Sequence, residues 1–206
     1  MRVTSPQFGL LLLAALIGTS WAAHDPAHAE NNVTELATVC TACHGEQGHP
    51  QEKTTPIIWG QNEGYIYLQL RDFKSGARKS DIMGPVAASL EKADMKALAA
   101  YFTGQKWPDL QQPSAPNDVA AKAQKAISSI GCTGCHLDQF QGDGTTARLA
   151  GQQHDYLKAT MLAFRDRSRG NNPGMSDLMN AASPDDLDAI AAYLAGLQIV
   201  GGTYGR

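Results

Sequence analysis

Cys40-Thr41-Ala42-Cys43-His44 recurs 92 residues on as Cys132-Thr133-Gly134-Cys135-His136. The chain has four cysteines, and all of them lie in these two pentapeptides. The likeness extends outward from them. Gly60-Gln61 recurs 91 residues on as Gly151-Gln152, and at that offset Tyr65 matches Tyr156, Ile66 Leu157, Leu70 Met161, Phe73 Phe164 and Arg78 Arg169. The offset then returns to 92: Met83 matches Met175, Asp94 Asp186, and Ala100-Tyr101 Ala192-Tyr193. One residue lost and one regained is the mark of loop changes in a duplicated domain. The seam falls near Gly104 to Asn117, where Pro108, Pro113 and Pro116 stop any helix and leave a semi-stiff, polar connection. The reading is a segment 1–29, a first domain 30–104, a linker 105–116 and a second domain 117–206.

The pattern within each unit is helical. Tyr65 to Lys74 has helical spacing, with Gly76 placed to end it. Asn117 is placed to cap a helix to about Ile130, with Val119, Ala123, Ala126, Ile127 and Ile130 on one face. Ser183-Pro184-Asp185-Asp186 is a helix start: a serine cap, proline in the first turn, and acids facing the dipole. Leu187, Ile190, Ala191 and Leu194 form its inner stripe, and Met95, Leu98, Ala99 and Phe102 that of the matching helix from Glu91. No stretch alternates persistently enough to demand a strand. Units this small are marginal for a self-sufficient apolar core, and a bound prosthetic group would supply buried surface.

The amino terminus reads as an export signal. Arg2 gives the positive start, Phe8 to Ile17 an apolar run, and Ala22, Ala23 or Ala27-His28-Ala29 a processing site between 22 and 29. As a retained anchor, ten residues would span only ~15 Å, about half the hydrocarbon core. The expectation is a soluble, exported protein. Apolar residues make up 43% and charged ones 18%, with a formal net charge of −3, which implies no broad basic surface for nucleic acid.

Cys-x-x-Cys-His has a physical logic. Two thiols three positions apart can each add to a vinyl group of one haem, and the adjacent histidine then lies beneath the iron. Cys40, Cys43, Cys132 and Cys135 are therefore the expected covalent haem attachments, and His44 and His136 the proximal iron ligands. Zinc would want four ligands per site, and each half clusters three. A dithiol redox pair would want a βαβ context that is missing.

Each iron needs a ligand on its other side. Met83 lies 39 residues after His44, and Met175 lies 39 after His136. Both sit beside Gly and Pro in expected loops, and they are the axial candidates. Met95 and Met161 read as core fillers on helix faces. Met179 is a rival whose first-half counterpart is Ala87, and His49 and His154 read as surface residues. The segment Thr55-Pro56-Ile57-Ile58-Trp59-Gly60 stands where a backbone carbonyl can fix the His44 tautomer, with Ala147 replacing Pro56 in the second half.

Through these motifs, with Gly60-Gln61, Tyr65, Leu70, Phe73, Met83, Ala100-Tyr101 and their partners, the chain resembles the c4-type dihaem cytochromes c over nearly all of its mature length. The resemblance implies an all-α fold of two tandem class I cytochrome c domains related by pseudo-twofold symmetry. It implies two covalent haem c groups near the domain interface. It also implies a non-enzymatic electron carrier between periplasmic or membrane-bound respiratory partners, commonly toward a terminal oxidase, with peripheral membrane association possible. The departures are Ala147 and Glu91, the latter standing where Ser183 caps the second half. Two haems in one chain suggest an internal relay. The competing role is the dihaem electron-accepting subunit of a dehydrogenase, such as flavocytochrome c sulfide dehydrogenase. A haem peroxidase would need an open iron position.

Overall fold

A computed structural model describes residues 1–2 and 26–197. Most of the expected export signal, including the Phe8–Ile17 run, lies outside the described residues. Among the described residues there are no strands, and no helix is long and apolar enough to cross a membrane.

The described residues form nine α-helices, in order α1 (Pro26–His44), α2 (Glu63–Ser75), α3 (Met83–Ala88), α4 (Lys92–Thr103), α5 (Asn117–Ile130), α6 (Thr133–His136), α7 (His154–Arg165), α8 (Pro173–Asn180) and α9 (Pro184–Ala195). The first four build one core and the remaining five another. In the first, α4 packs on α1 and α2, and α2 also packs on α3. In the second, α9 packs on α5 and α7, and α7 also packs on α8. Helix packs on helix because each presents one apolar stripe that must be covered.

Those stripes fall where the spacing places them on α4 and α9. Met95, Leu98, Ala99 and Phe102 are buried in the first core, and Leu187, Ile190, Ala191 and Leu194 in the second. Burying a leucine or isoleucine of this kind stabilises by roughly 1.5–3 kcal/mol. On α5, Ala123 and Ile127 are buried and Val119, Ala126 and Ile130 pack at the margin. On α2 the inward residues are Ile66 and Leu70, while Tyr65 turns toward the other half and Phe73 lies under the Arg78 guanidinium of its own half.

The helix ends follow their local chemistry. Gly76 ends α2 in the left-handed conformation at φ 76°. Ser183 Oγ accepts from the Asp186 N–H at 3.1 Å, with Pro184 in the first turn. Glu91, a departure from the serine cap, is compensated: the Asp94 carboxylate accepts from the Glu91 N–H at 2.7 Å, completing a capping box. Asn117 differs from expectation. It is the first helical residue of α5, and Pro116 occupies the cap position.

The two halves diverge just before the second cysteine pair. Gly131 is left-handed at φ 82°, and this turn separates α5 from α6. Its first-half counterpart is Val39, whose branched Cβ disfavours that conformation, and α1 runs unbroken to His44. The linker is also tied down more than its composition suggests. Trp107 is buried in the first core, and the Arg148 guanidinium of the second half lies 4.4 Å over its ring. Gln112 Nε2 donates to the Gln152 carbonyl at 3.0 Å.

Candidate functional site

In each half the cysteine pair and its histidine share one helical stretch. Cys40, Cys43 and His44 close α1, and Cys135 and His136 close α6 with Cys132 at its cap position. Residues three apart on a helix face the same way, so each pair presents its two sulfurs together. Cys40 and Cys132 are half-buried against their cores, and Cys43 and Cys135 are exposed. All four are free thiols. Burial pushes the Cys40 thiol up to about 11 and the Cys132 thiol up as well, the opposite of a thiolate poised for disulfide exchange.

The histidines are matched. His44 and His136 are both buried, and their Nδ1 atoms lie 2.8 Å from the Pro56 and Ala147 carbonyl oxygens, respectively. A carbonyl only accepts, so Nδ1 carries the proton and the Nε2 lone pair is left for a metal. Burial lowers both imidazoles, more than the carbonyl contacts raise them, which keeps them in the neutral, ligating form. Replacing Pro56 by Ala147 leaves the contact unchanged at the same length.

Met83 and Met175 are partly buried, each against the core that its own cysteine joins. They are not in open loops. Met83 is the first residue of α3 and Met175 lies in the first turn of α8. Each backbone N–H is held by a polar side chain three residues earlier, Ser80 Oγ at 3.0 Å and Asn172 Oδ1 at 3.2 Å. Met95, Met161 and Met179 are core residues, 3–8% exposed. His49 is exposed, and His154 is occupied at the surface by Asp155 and Asp188.

The halves meet through reciprocal pairs. Gln61 donates to the Arg148 carbonyl at 3.0 Å and accepts from the Arg148 N–H at 2.7 Å. Its repeat partner Gln152 does the same to Ile57, at 2.9 and 2.8 Å. Gly60 and Gly151, both left-handed, turn the chain so that these glutamines point across, and each donates its N–H at 2.8 Å to the end of its own domain's last helix, Phe102 and Leu194. Arg78 reaches the Tyr156 hydroxyl at 3.2 Å while Arg169 reaches that of Tyr65 at 3.3 Å. Each guanidinium also lies over its own domain's phenylalanine, Phe73 or Phe164. An exchange of this kind, residue for repeat partner, is pseudo-twofold symmetry. Burial raises both phenols. At Tyr156 the Arg78 and Arg169 charges outweigh burial and bring it below the ordinary value, whereas at Tyr65 burial wins.

The residues fit two c-type haems. Each half has two free sulfurs on one helical face, a neutral histidine with one nitrogen fixed and one spare, and a thioether. Arg169 Nη1 adds a buried donor with no hydrogen-bond partner among the described residues, suited to a cofactor carboxylate. Among the described residues no three His, Cys, Asp or Glu side chains converge as a bare metal site would need.

Comparison with known proteins decides the family. A family model for cytochrome c matches residues 120–198. Cytochrome c4 of Azotobacter vinelandii is 32% identical over 206 residues, covering 91% of this chain and 96% of that protein. This chain belongs to the cytochrome c4 family. The crystal structure of reduced recombinant cytochrome c4 from Pseudomonas stutzeri superposes with a TM-score of 0.73 at 28% identity, covering 82% of this chain and 98% of that one. A thiosulfate dehydrogenase electron acceptor from Stutzerimonas stutzeri (strain A1501) is 32% identical, over 82% of this chain and 83% of that protein. As a cytochrome c4, the chain is an electron carrier, not an enzyme, with two cytochrome c domains and two covalently bound haem c groups. It acts with redox partners.

The interface residues are what sequence reading missed. Gln61, Gln152, Arg78 and Arg169 stood out as repeated positions, but nothing in the sequence shows that each reaches into the other half. Gln69, Asp72 and Asn171 carried no signal, since their repeat partners differ.

Proposed function

We propose that this cytochrome c4 carries electrons in the periplasm between respiratory redox partners, with the haems attached at Cys40/Cys43 and Cys132/Cys135. Residues 1–29 serve as the export signal, 30–104 and 117–206 are the two domains, and 105–116 is the linker. His44 with Met83, and His136 with Met175, are the axial ligand pairs. The observation that carries this reading is the pair of equal histidine–carbonyl contacts, to Pro56 and Ala147, each beside a cysteine pair.

Bound there, haem would supply one-electron chemistry, and a methionine together with a histidine as ligands would favour the reduced state relative to two histidines. The chain's own residues do the rest. Pro56 and Ala147 hold the imidazole planes and keep Nε2 basic. With His44 and Met83, and His136 and Met175, as its ligands, each iron would be closed to substrates and the protein would pass charge without bond chemistry. The Gln61–Arg148 and Gln152–Ile57 seam holds the domains in one fixed relation, as an internal relay from a donor side to an acceptor side requires.

Stopped-flow reduction by a one-electron donor tests the relay. Exchange between the haems faster than turnover supports it, and two haems that fill independently refute it. Similarity to a thiosulfate dehydrogenase electron acceptor favours a second reading, in which the chain is the electron-accepting partner of a dehydrogenase, as in flavocytochrome c sulfide dehydrogenase. Purification from the native host separates the two, because such a subunit co-elutes with its catalytic partner.

A further inference from the structure

The two methionine segments are not held alike. Counted back from the methionines, Lys79 stands where Asn171 does, and counted forward, Gly84 stands where Ser176 does. Asn171 donates across the interface to the Asp72 carboxylate at 2.8 Å and to Gln69 Oε1 at 3.2 Å. Arg169 donates to Gln69 at 2.9 Å and to the Tyr65 hydroxyl at 3.3 Å. All three acceptors lie on α2 of the first half. Ser176, fully buried, then bonds the Arg169 and Asn172 carbonyls at 3.4 Å, locking the loop to the first turn of α8. The segment before Met175 is thus anchored by its side chains to the other domain, and Ser176, just after it, ties the first turn of α8 to that segment.

The Met83 segment has less. Among the described residues, its one bond across the interface is Arg78 to Tyr156. Arg78 also bonds Gln69, but within its own half. Asp72 has no repeat equivalent, since Ala163 occupies that place, so the mirror contact does not form. Gly84 offers no hydroxyl, and Ile82, next to Met83, is 69% exposed. Asp72 is itself buried and held by Arg71 through two bonds to Oδ1, which leaves Oδ2 directed at Asn171.

We propose that Asp72 and Asn171 are positioning residues for Met175, so that the two sulfur ligands are held unequally and a small external iron ligand displaces Met83 first. This rests on the assignment of Met83 and Met175 as axial ligands. A hydrogen bond to a charged group contributes more than a neutral one, so loss of this latch should ease displacement of Met175 roughly tenfold.

The test titrates the oxidised holoprotein with imidazole and follows the long-wavelength sulfur–iron band. Half of the band should vanish at an imidazole concentration roughly tenfold below that needed for the other half. Met83→His should remove the first step and leave the second. Asp72→Ala and Asn171→Ala should each draw the second step down toward the first, and Asp72→Asn, whose amide oxygen still accepts from Asn171 but without the charge, should restore part of the gap. A wild-type protein losing both halves together overturns the proposal, as does a second step unmoved by Asn171→Ala. An oxidised protein with no sulfur–iron band at all refutes the ligand assignment instead.

Discussion

Removing the Gln61 side chain should weaken the protein by about 3 kcal/mol. Gln61 is 3% exposed, and its amide satisfies both the N–H and the carbonyl of Arg148 across the domain seam, while Oε1 also accepts from Asn62 N–H at 2.9 Å. Gln61→Ala strands the two Arg148 groups in a place water reaches poorly. Each stranded group costs roughly 1–3 kcal/mol, and partial relaxation keeps the sum near 3 kcal/mol. Gln152 is 2% exposed and makes the same bonds to Ile57 and Gln153, so Gln152→Ala should lose a similar amount. That is a large share of a stability of about 5–15 kcal/mol. Urea unfolding of the holoprotein, followed by haem absorption and by far-ultraviolet dichroism, measures both variants. A loss below about 0.5 kcal/mol in either, the range of ordinary surface changes, would refute the reasoning, as would a loss confined to one of the two.

Replacing Cys132 and Cys135 together by alanine should halve the covalent haem per chain, measured by pyridine haemochrome, while the first domain keeps its own. Met83→His should lower one of the two reduction potentials and leave the other near its original value, read by spectroelectrochemistry. Gly142→Ala should act on the second site alone. Gly142 is left-handed at φ 61°, and a Cβ there would lie 2.5 Å from the Thr146 and Ala147 carbonyl oxygens. The Ala147 carbonyl holds His136, so the change should cost about 2 kcal/mol of second-domain stability and shift the second potential while sparing the first.

The Cys-x-x-Cys-His duplication, the inner stripes of α4 and α9 and the Gly76 and Ser183 helix ends were legible in the sequence because each is a local rule. Spacing fixes which side chains share a face, and glycine or serine fixes where a helix stops. The carbonyl partner of His44 was legible too, within the Thr55–Gly60 segment. Gly84-Pro85 and Pro173-Gly174 read as breakers, which points to loops around both methionines. Both prolines instead lie in the first turn, where a missing N–H costs nothing, and short helices form around them. The interface could not be read, since its bonds join residues roughly 80 to 100 positions apart and half of them end on backbone atoms that any residue would supply. Trp107 read as part of a polar linker, because no pattern within 105–116 reveals that Arg148 will cover it.

A redox titration of the purified, mature protein followed by visible absorption bears most directly on two closed histidine–methionine iron centres in one chain. It should show two one-electron steps that sum to two haems, and a sulfur–iron band in the oxidised form that disappears on reduction. One haem per chain, an oxidised spectrum without that band, or carbon monoxide binding by the untreated reduced protein would contradict it.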